Sequence, residues 1–225
     1  MKFFGLGAPL AKPKLLDLFC CQGGASWGYS LAGFEVVGVD IDPQPRYPFT
    51  FFQGDALEFL KAHGDEFDAV AGSPPCQLYS KTYRIQQNDH PDLIRPTREV
   101  MEAVGKPFVI ENVMDAEPEL RNPEMLCGSM FGLETYRHRL FETGNGFSFK
   151  APEHPKHVAK TTKMGRPVKP GEYMHIVGNF TGVDKAREIM DMPWANRDGL
   201  REAIPPAYTE YIGHQLMAHL KESGS

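Results

Sequence analysis

The sequence predicts an α/β fold with an open parallel sheet, and three observations carry this prediction. Residues 15–19 form an apolar run that is followed by a glycine-rich turn and a helical stretch. A second apolar run ends at Asp40, and a third ends at Pro74 and Pro75. Strands that alternate with helices are typical of parallel sheets, whose ligands bind at the carboxyl ends of the strands. We therefore expect the functional residues at that edge, called the sheet edge below.

The composition is that of an ordinary globular protein. The chain has 225 residues, 41% hydrophobic and 24% charged, with a formal net charge of −5. It is long enough for one large domain with a small appendage. No apolar run approaches the roughly 18 residues of a membrane span, and residues 1–13 lack a signal-peptide core, so we expect a cytoplasmic protein without a membrane partner. Origin on a phage or a mobile element is left open.

Cys76 is the cysteine that the pattern places for chemistry. The two prolines before it end the strand abruptly, because each fixes φ and removes a donor, so its thiol is expected at the sheet edge. The remaining cysteines are Cys20, Cys21 and Cys127. None of the four has CxxC spacing or a histidine pair close by, so we expect reduced thiols and no metal site. Cys127 is expected to be an ordinary buried cysteine in a turn.

Three successive strand-to-helix turns indicate an adenosine-type cofactor. Gly23 and Gly24 would let a backbone approach a ligand closely, although a simple tight turn explains them as well. Asp40 follows roughly 20 residues later, where an acid binds ribose hydroxyls, or it is a surface carboxylate. Asp55 ends the third turn, and its alternative role is to cap the next helix.

The later part of the chain adds a carboxylate and a set of cations. An apolar strand delivers Glu111 at its carboxyl end, and Arg137 and Arg139 alternate on a predicted strand and would point the same way. A solvated edge strand is the alternative for these arginines. Residues 144–171, called the basic segment below, are poor in aliphatic side chains and rich in lysine, histidine and arginine. Contact with a phosphate backbone would explain this segment, and so would a solvated loop.

In this order the motifs resemble those of the DNA (cytosine-5) methyltransferases. The matching blocks are residues 17–24, Asp40, Asp55, residues 72–77, residues 111–113, residues 137–139 and residues 204–213. The resemblance implies a Rossmann-like sheet of the S-adenosylmethionine-dependent methyltransferase type with a small, irregular target-recognition region. It implies a catalytic, cofactor-binding domain at residues 1–143, target recognition at 144–195, and a segment at 196–225 that returns to the catalytic domain.

The resemblance also implies a mechanism and a cofactor. The Cys76 thiolate would add to C6 of cytosine, Glu111 would hold a proton at N3, and Arg139 would bind O2, supported by Arg137. Arg137 could instead lower the pKa of the thiol. The base would be flipped out of double-stranded DNA, and the loop after Gln77 would close over it. The methyl donor would be S-adenosylmethionine.

Further residues are assigned by the same resemblance. The cofactor would be bound by Phe19, Gly23, Gly24, Asp40, Ile41, Asp55 and Pro74. The nucleic acid would be bound by Gln77, Ser80, Lys156, Lys160, Lys163 and Arg166. A restriction-modification role and a monomeric protein are expected. Methylation of RNA of the tRNA type and a catalytically idle module that binds nucleic acid or cofactor are the alternatives.

The sequence departs from the family pattern at three places. Cys20, Cys21 and Gln22 stand in the glycine turn where Ala-Gly and a variable residue are common. Thr135 stands where a glutamine usually precedes the arginine pair. Glu202 stands where Gly-Asn is usual, and its carboxylate would either repel the methionine carboxylate of the cofactor or face away.

Overall fold

The computed structural model describes residues 11–75, 93–163 and 165–223. These residues form one mixed sheet of seven strands in the order β3-β2-β1-β4-β5-β7-β6. The strands are β1 (Lys14–Leu18), β2 (Glu35–Asp40), β3 (Thr50–Gln53), β4 (Ala69–Gly72), β5 (Phe108–Asn112), β6 (Glu124–Leu126) and β7 (Arg139–Gly144). Strands β1 to β5 pair in parallel, and β7 is antiparallel to both β5 and β6. The predicted α/β fold with a parallel core is confirmed.

Helices cover both faces of this sheet. They are α1 (Gly24–Leu31), α2 (Ala56–His63), α3 (Ile94–Val104), α4 (Val183–Met190), α5 (Arg197–Glu202) and α6 (Pro206–Ser223). Short 3₁₀ helices occupy Gly64–Glu66, Met114–Glu119 and Gly128–Phe131. Within the described parts of the chain, no helix combines the length and apolar character that crossing a membrane requires.

The central strands are mostly apolar because both of their faces are buried. In β1, Leu15 belongs to the apolar cluster that contains Tyr29 of α1 and Tyr208 of α6. The next residue, Leu16, belongs to the cluster on the other face with Leu60 of α2 and Met101 of α3. Alternate residues of one strand therefore pack into two cores. The polar residues of the central strands lie toward their carboxyl ends, and buried Asp17 of β1 accepts a hydrogen bond from the Ser26 hydroxyl.

The chain's last helix packs directly on its first. A Cβ at Gly28 would lie only 2.1 Å from both the Pro206 carbonyl oxygen and the Thr209 hydroxyl oxygen, so glycine is needed for this approach. The Thr209 hydroxyl also donates a hydrogen bond of 2.9 Å to the Ala25 carbonyl. Helix α6 is thus part of the same layered body as the sheet, which places the turn before α6 beside the glycine turn before α1.

The region between β7 and α4 is irregular. In its described residues the backbone pairing is limited to an isolated bridge between Thr161 and Tyr173. A small apolar cluster that includes Met174, Ile176 and Met190 supports the later part of this region. The basic segment itself remains largely at the surface, and Val158 within it is 87% exposed.

Candidate active site

Glu111 lies at the carboxyl end of β5, where the sequence predicts it. Its side chain is buried, and Arg139 Nε lies 2.8 Å from its Oε1 atom. Glu111 Oε1 and the Arg139 guanidinium therefore form an ion pair in the interior. Burial raises the pKa of the Glu111 carboxyl, although Arg139, Arg137 and a hydrogen bond from Ser73 each lower it.

Asn112 connects this carboxylate to the stretch of chain that leads to the predicted nucleophile. Its side-chain amide donates a buried hydrogen bond of 3.0 Å to the Pro74 carbonyl. The end of β5 therefore fixes the backbone just before Cys76. Cys76 itself, Gln77, Ser80 and the loop after Gln77 lie outside the described residues.

Arg137 and Arg139 do not share a strand face, and that prediction is wrong. Strand β7 begins at Arg139, whereas Arg137 precedes it with a left-handed φ of 34°. The Arg137 guanidinium donates to three carbonyl oxygens, those of Ala203 at 2.8 Å, Ile176 at 2.7 Å and Arg201 at 2.7 Å. It thereby joins the start of β7 to Ile176 and to residues 201–203. Its positive charge lowers the pKa of Glu111.

A cleft of about 400 Å³ opens beside Arg139. Its walls include Val113, Tyr136, Arg139, His157, Met174 and Ile176. A volume of this size is in the range of small-molecule sites. The cleft lies between the end of β5 and the irregular region. It is therefore bordered both by the sheet edge and by the residues that the sequence predicts for target recognition.

Asp40 ends strand β2 and Ile41 follows it, so both lie at the carboxyl edge of the sheet, and their contact with a cofactor stays a prediction. The Asp40 carboxylate accepts from the backbone N–H groups of Cys21 at 2.9 Å and Asp42 at 3.0 Å, which ties β2 to the glycine turn. Each of its oxygens has a further lone pair for a ligand hydroxyl. Ile41 is 64% exposed at the sheet edge, where its side chain is accessible to a ligand.

Asp55 has the role that the sequence analysis gave as its alternative. Its Oδ1 atom accepts from the backbone N–H groups of Leu57 and Glu58, both at 2.9 Å, so it caps helix α2. The second carboxylate oxygen is not used by this cap. The predicted contact of Asp55 with the adenine amino group would therefore be made by the second oxygen, Oδ2, and it stays a prediction.

The glycine turn adopts an unusual backbone that the C-terminal residues support. Phe19 and Cys21 have left-handed φ values of 58° and 46°, and Gly23 has a φ of 82°. A Cβ at Gly24 would lie 2.6 Å from the Ile204 carbonyl oxygen, so this glycine allows the C-terminal segment to close on the turn.

Gln22 stands at the variable position of the glycine turn and makes contacts with the segment before α5. Its amide donates to Asn196 Oδ1 at 2.9 Å and accepts from Asn196 N at 3.1 Å. Its carbonyl accepts from the Trp194 indole at 2.8 Å. Gln22 therefore holds the glycine turn against the segment before α5.

The enclosed space at the glycine turn is small. A cavity of about 30 Å³ lies between Phe19, Ser73 and Glu202. Glu202 faces the turn, where its carboxylate accepts from Cys21 Sγ at 3.5 Å and, with burial, raises the pKa of that thiol to about 12. A cavity of this volume is water-sized, so a larger ligand requires the half-exposed Glu202 side chain to move.

The basic segment presents its cations to solvent. The side chains of Lys156, Lys160, Lys163 and Arg166 are all exposed. Their exposure leaves them accessible to an anionic partner. The Lys160 backbone carbonyl accepts from Tyr173 N at 2.8 Å, so that lysine starts from an ordered position.

The structure brings together four residues that the sequence analysis did not connect. Cys127, His138, His154 and His157 offer side-chain atoms that all lie within 4.8 Å of one another. Cys127 is a free, buried cysteine, as expected, and its Sγ lies 3.3 Å from His157 Nε2. The HxxH spacing of His154 and His157 is the sequence signal that could have indicated this cluster.

Comparisons with known proteins show what the chain is similar to. It is 29% identical to the Type II methyltransferase M.AquIA of Picosynechococcus sp. over 70% of this chain and 84% of that relative. It is 34% identical to the Type II methyltransferase M.XorII of Xanthomonas oryzae pv. oryzae over 90% of this chain. That match spans only 54% of the second relative, about half of its length. No family model matches the chain.

Solved structures share the fold. A protein described as a DNA modification methyltransferase encoded within a prophage (E. coli) matches with a TM-score of 0.61 at 15% identity, covering 94% of this chain and 100% of that one. The methyltransferase EhMeth of Entamoeba histolytica gives a TM-score of 0.59 at 11% identity over 96% of this chain and 100% of its own. Dnmt2 of S. pombe gives 0.52 at 13% identity over 95% and 98%.

S-adenosylmethionine is the methyl donor that this fold and these relatives imply. The residues present fit it: the Asp40 carboxylate retains accepting capacity for ribose hydroxyls, the exposed Ile41 offers an apolar surface for adenine, and Gly23 and Gly24 bring the backbone close. The chain therefore has the fold of the S-adenosylmethionine-dependent methyltransferases and is similar to Type II methyltransferases.

Proposed function

We propose that this protein transfers a methyl group from S-adenosylmethionine to C5 of cytosine in DNA. The observation that carries the proposal is the buried Glu111 at the end of β5, paired with Arg139 at 2.8 Å and joined through Asn112 to the backbone before Cys76. S-adenosylmethionine supplies an electrophilic methyl group. The remaining chemistry is a matter of making cytosine C5 nucleophilic, and that is a task for the chain's own side chains.

Glu111 is suited to hold a proton at the base. Because burial raises its pKa, its carboxyl can be protonated at a pH where an exposed glutamate is ionised. Its Oε1 atom is buried beside the Arg139 guanidinium, and Arg139 also lines the cleft that would receive the base. We assign Glu111 to N3 of cytosine, where negative charge develops when a nucleophile adds to the ring.

Arg139 is suited to bind the same base. Its side chain is mostly buried, with Nε toward Glu111 and Nη1 donating to the His138 carbonyl at 2.9 Å. The other guanidinium nitrogen can donate toward the 400 Å³ cleft that Arg139 lines. We assign it to O2 of cytosine. Arg137 is a positioning residue in this proposal, since its three carbonyl contacts hold the start of β7.

Cys76 is assigned as the nucleophile on its place in the sequence. It follows Pro74 and Pro75 directly after β4, and Pro74 is held by Asn112. In the proposed step the thiolate sulfur bonds to C6, the C5 carbon takes the methyl group, and loss of the C5 proton with departure of the sulfur restores the ring. The exposed cations of the basic segment would contact the phosphates of the duplex from which the base is flipped.

The decisive experiment combines transfer and trapping. Purified protein with methyl-labelled cofactor is offered unmethylated duplex DNA and, separately, transfer RNA. We expect label in DNA cytosine, no transfer by Cys76→Ala, and cofactor binding retained by that variant. A duplex containing 5-fluorocytosine in a methylated context should form an adduct that survives denaturation and maps to the peptide containing Cys76.

Each other outcome has a defined meaning. Label in transfer RNA but not in DNA would show that the substrate is RNA and would overturn the DNA assignment. Transfer that persists in Cys76→Ala would overturn the covalent mechanism. Label on the exocyclic amine of a base rather than on C5 would overturn the position of transfer.

A further inference from the structure

The cluster of Cys127, His138, His154 and His157 lies beside the proposed active site but is not used by it. Cys127 follows β6 and is fully buried, and His138 directly precedes β7. His154 and His157 belong to the basic segment. Three separate stretches of chain therefore converge on one point next to Arg139.

We propose that these four side chains form a structural zinc site that ties the basic segment to the sheet. One thiolate and three imidazoles are a complete tetrahedral ligand set for Zn²⁺. This inference does not depend on the substrate or on the reaction proposed above.

The spacing of the ligand atoms fits a tetrahedral ion. Zinc bonds to sulfur and nitrogen place neighbouring ligand atoms about 3.3–3.8 Å apart. Cys127 Sγ and His157 Nε2 are 3.3 Å apart, and all four ligand atoms lie within 4.8 Å of one another. A contraction of about 1 Å at the longest separation completes the geometry. The two exposed histidines can move by this amount because they sit on irregular chain.

Neighbouring groups hold the ligands in a way that suits metal binding. The Ser129 hydroxyl lies 3.1 Å from Cys127 Sγ and can donate to a thiolate there. The Tyr136 ring stacks on His157 with centroids 3.6 Å apart and planes 21° apart. The Tyr136 hydroxyl in turn exchanges hydrogen bonds with the backbone of Ala159, at 2.9 Å and 3.0 Å. The orientation of His157 is therefore fixed from two sides.

The basic segment after Phe149 has little apolar packing to hold it. Phe147 and Phe149 are buried in the main core, but the later residues include few aliphatic side chains, Val158 is 87% exposed, and the strand pairing in the described residues is an isolated bridge. A short stretch that buries so little apolar surface is poorly held in one conformation, and metal ions commonly take over that role. A zinc ion at the cluster would fix Lys156, which lies between two of the ligands, and the wall of the 400 Å³ cleft that contains His138 and His157.

The test measures metal on the full-length protein. Protein purified without chelator and dialysed is expected to hold about one zinc per chain by elemental analysis. Loading the apoprotein with Co²⁺ should give the visible bands of a tetrahedral cobalt centre together with a thiolate charge-transfer band. His154→Ala should lose most of the bound metal at equal free zinc and lose the cobalt bands, whereas His214→Ala, a histidine on the surface of α6, should keep both.

Two further measurements keep the inference falsifiable. Zinc should raise the thermal unfolding midpoint of the wild type and of His214→Ala but not of His154→Ala. Cys127→Ser tests the buried ligand, and His154→Ala keeps the test valid if that variant does not fold, because residue 154 is exposed. Wild-type protein without stoichiometric zinc that also gives no tetrahedral cobalt spectrum would overturn the site, as would equal metal content in His154→Ala and His214→Ala.

Discussion

The sheet edge and the basic segment are held in place by different kinds of interaction. At the sheet edge each site residue has a partner on a neighbouring strand or turn, as in the contacts of Glu111 with Arg139 and of Asn112 with Pro74. The basic segment is anchored at its start by Phe147 and Phe149, which are buried in the main apolar cluster, whereas its lysines are exposed and its later residues are held by ring contacts and by Cys127. The sheet edge is thus built on the hydrophobic core, whereas the part of the basic segment after Phe149 depends on a few ring and polar contacts.

In the proposed function, this difference separates the region that would carry out the chemistry from the region that would recognise DNA. Burial at the sheet edge raises the pKa of Glu111 and holds its partners fixed, which is what proton transfer requires. Exposure in the basic segment keeps lysines hydrated and accessible, which is what contact with a polyanion requires. Substitutions at the sheet edge should therefore change the rate of transfer, and substitutions in the basic segment should change binding.

The largest expected effect is at Glu111. Glu111→Gln keeps the shape but cannot share a proton with the base, so we expect transfer to fall by roughly 10²- to 10⁴-fold. Cofactor affinity and the thermal midpoint should change little. The measurement is the single-turnover rate of label transfer to DNA. Glu119→Gln, an exposed glutamate, is the control and should match the wild type. A wild-type rate in Glu111→Gln would remove the distinction between the two regions.

Arg137→Ala should act on stability before it acts on rate. Three carbonyls lose a buried donor, so the free energy of unfolding should fall by about 2–4 kcal/mol. Arg137→Lys should recover little, because one ammonium cannot reproduce the planar guanidinium fork. Urea unfolding gives the measurement, and Arg197→Ala at an exposed position is the control. Unchanged stability with lost transfer would return Arg137 to the role that the sequence suggested.

Most of the sheet edge could be predicted from the sequence because apolar runs with polar ends mark where strands stop. Glu111 and Asp40 were found this way. Arg137 was misplaced because the alternation of two arginines looks like a strand, whereas a left-handed residue before β7 is set by tertiary contacts. For Asp55 the sequence was compatible with two roles, a cofactor contact or a helix cap, and its hydrogen bonds with backbone N–H groups of α2 show the cap.

The basic segment was harder for a physical reason. Its ring and thiol contacts join residues far apart in the chain, as between Cys127 and His157, and periodicity carries no information about such contacts. Composition alone indicated cations there. The spacing between His154 and His157 was the available local signal, and it gains meaning only when His138 and Cys127 are brought beside it.

Lysines of the basic segment should govern the salt dependence of binding. Lys156→Ala with Lys160→Ala removes two exposed charges, so the slope of log affinity for duplex DNA against log salt should fall by roughly 1.8. Fluorescence anisotropy at several salt concentrations gives this slope. The control pair is Lys12→Ala with Lys61→Ala, two exposed lysines before β1 and in α2, and its slope should equal that of the wild type. Equal slopes for both double variants would show that the basic segment does not contact the phosphates.

The smallest expected effect concerns Glu202, where the C-terminal segment meets the glycine turn. Its carboxylate contacts Cys21 Sγ at 3.5 Å and borders the cavity where the methionine end of the cofactor would lie. Glu202→Gln removes a negative charge near the cofactor carboxylate, and we expect the Kd for S-adenosylmethionine to fall by about 3- to 10-fold. Calorimetry measures this, with Glu222→Gln at the exposed end of α6 as the control for net charge. A higher Kd in Glu202→Gln would instead mean that the carboxylate pairs with the ammonium group of the cofactor. The C-terminal turn would then contribute an attractive contact to the cofactor site at the sheet edge rather than a repulsive one.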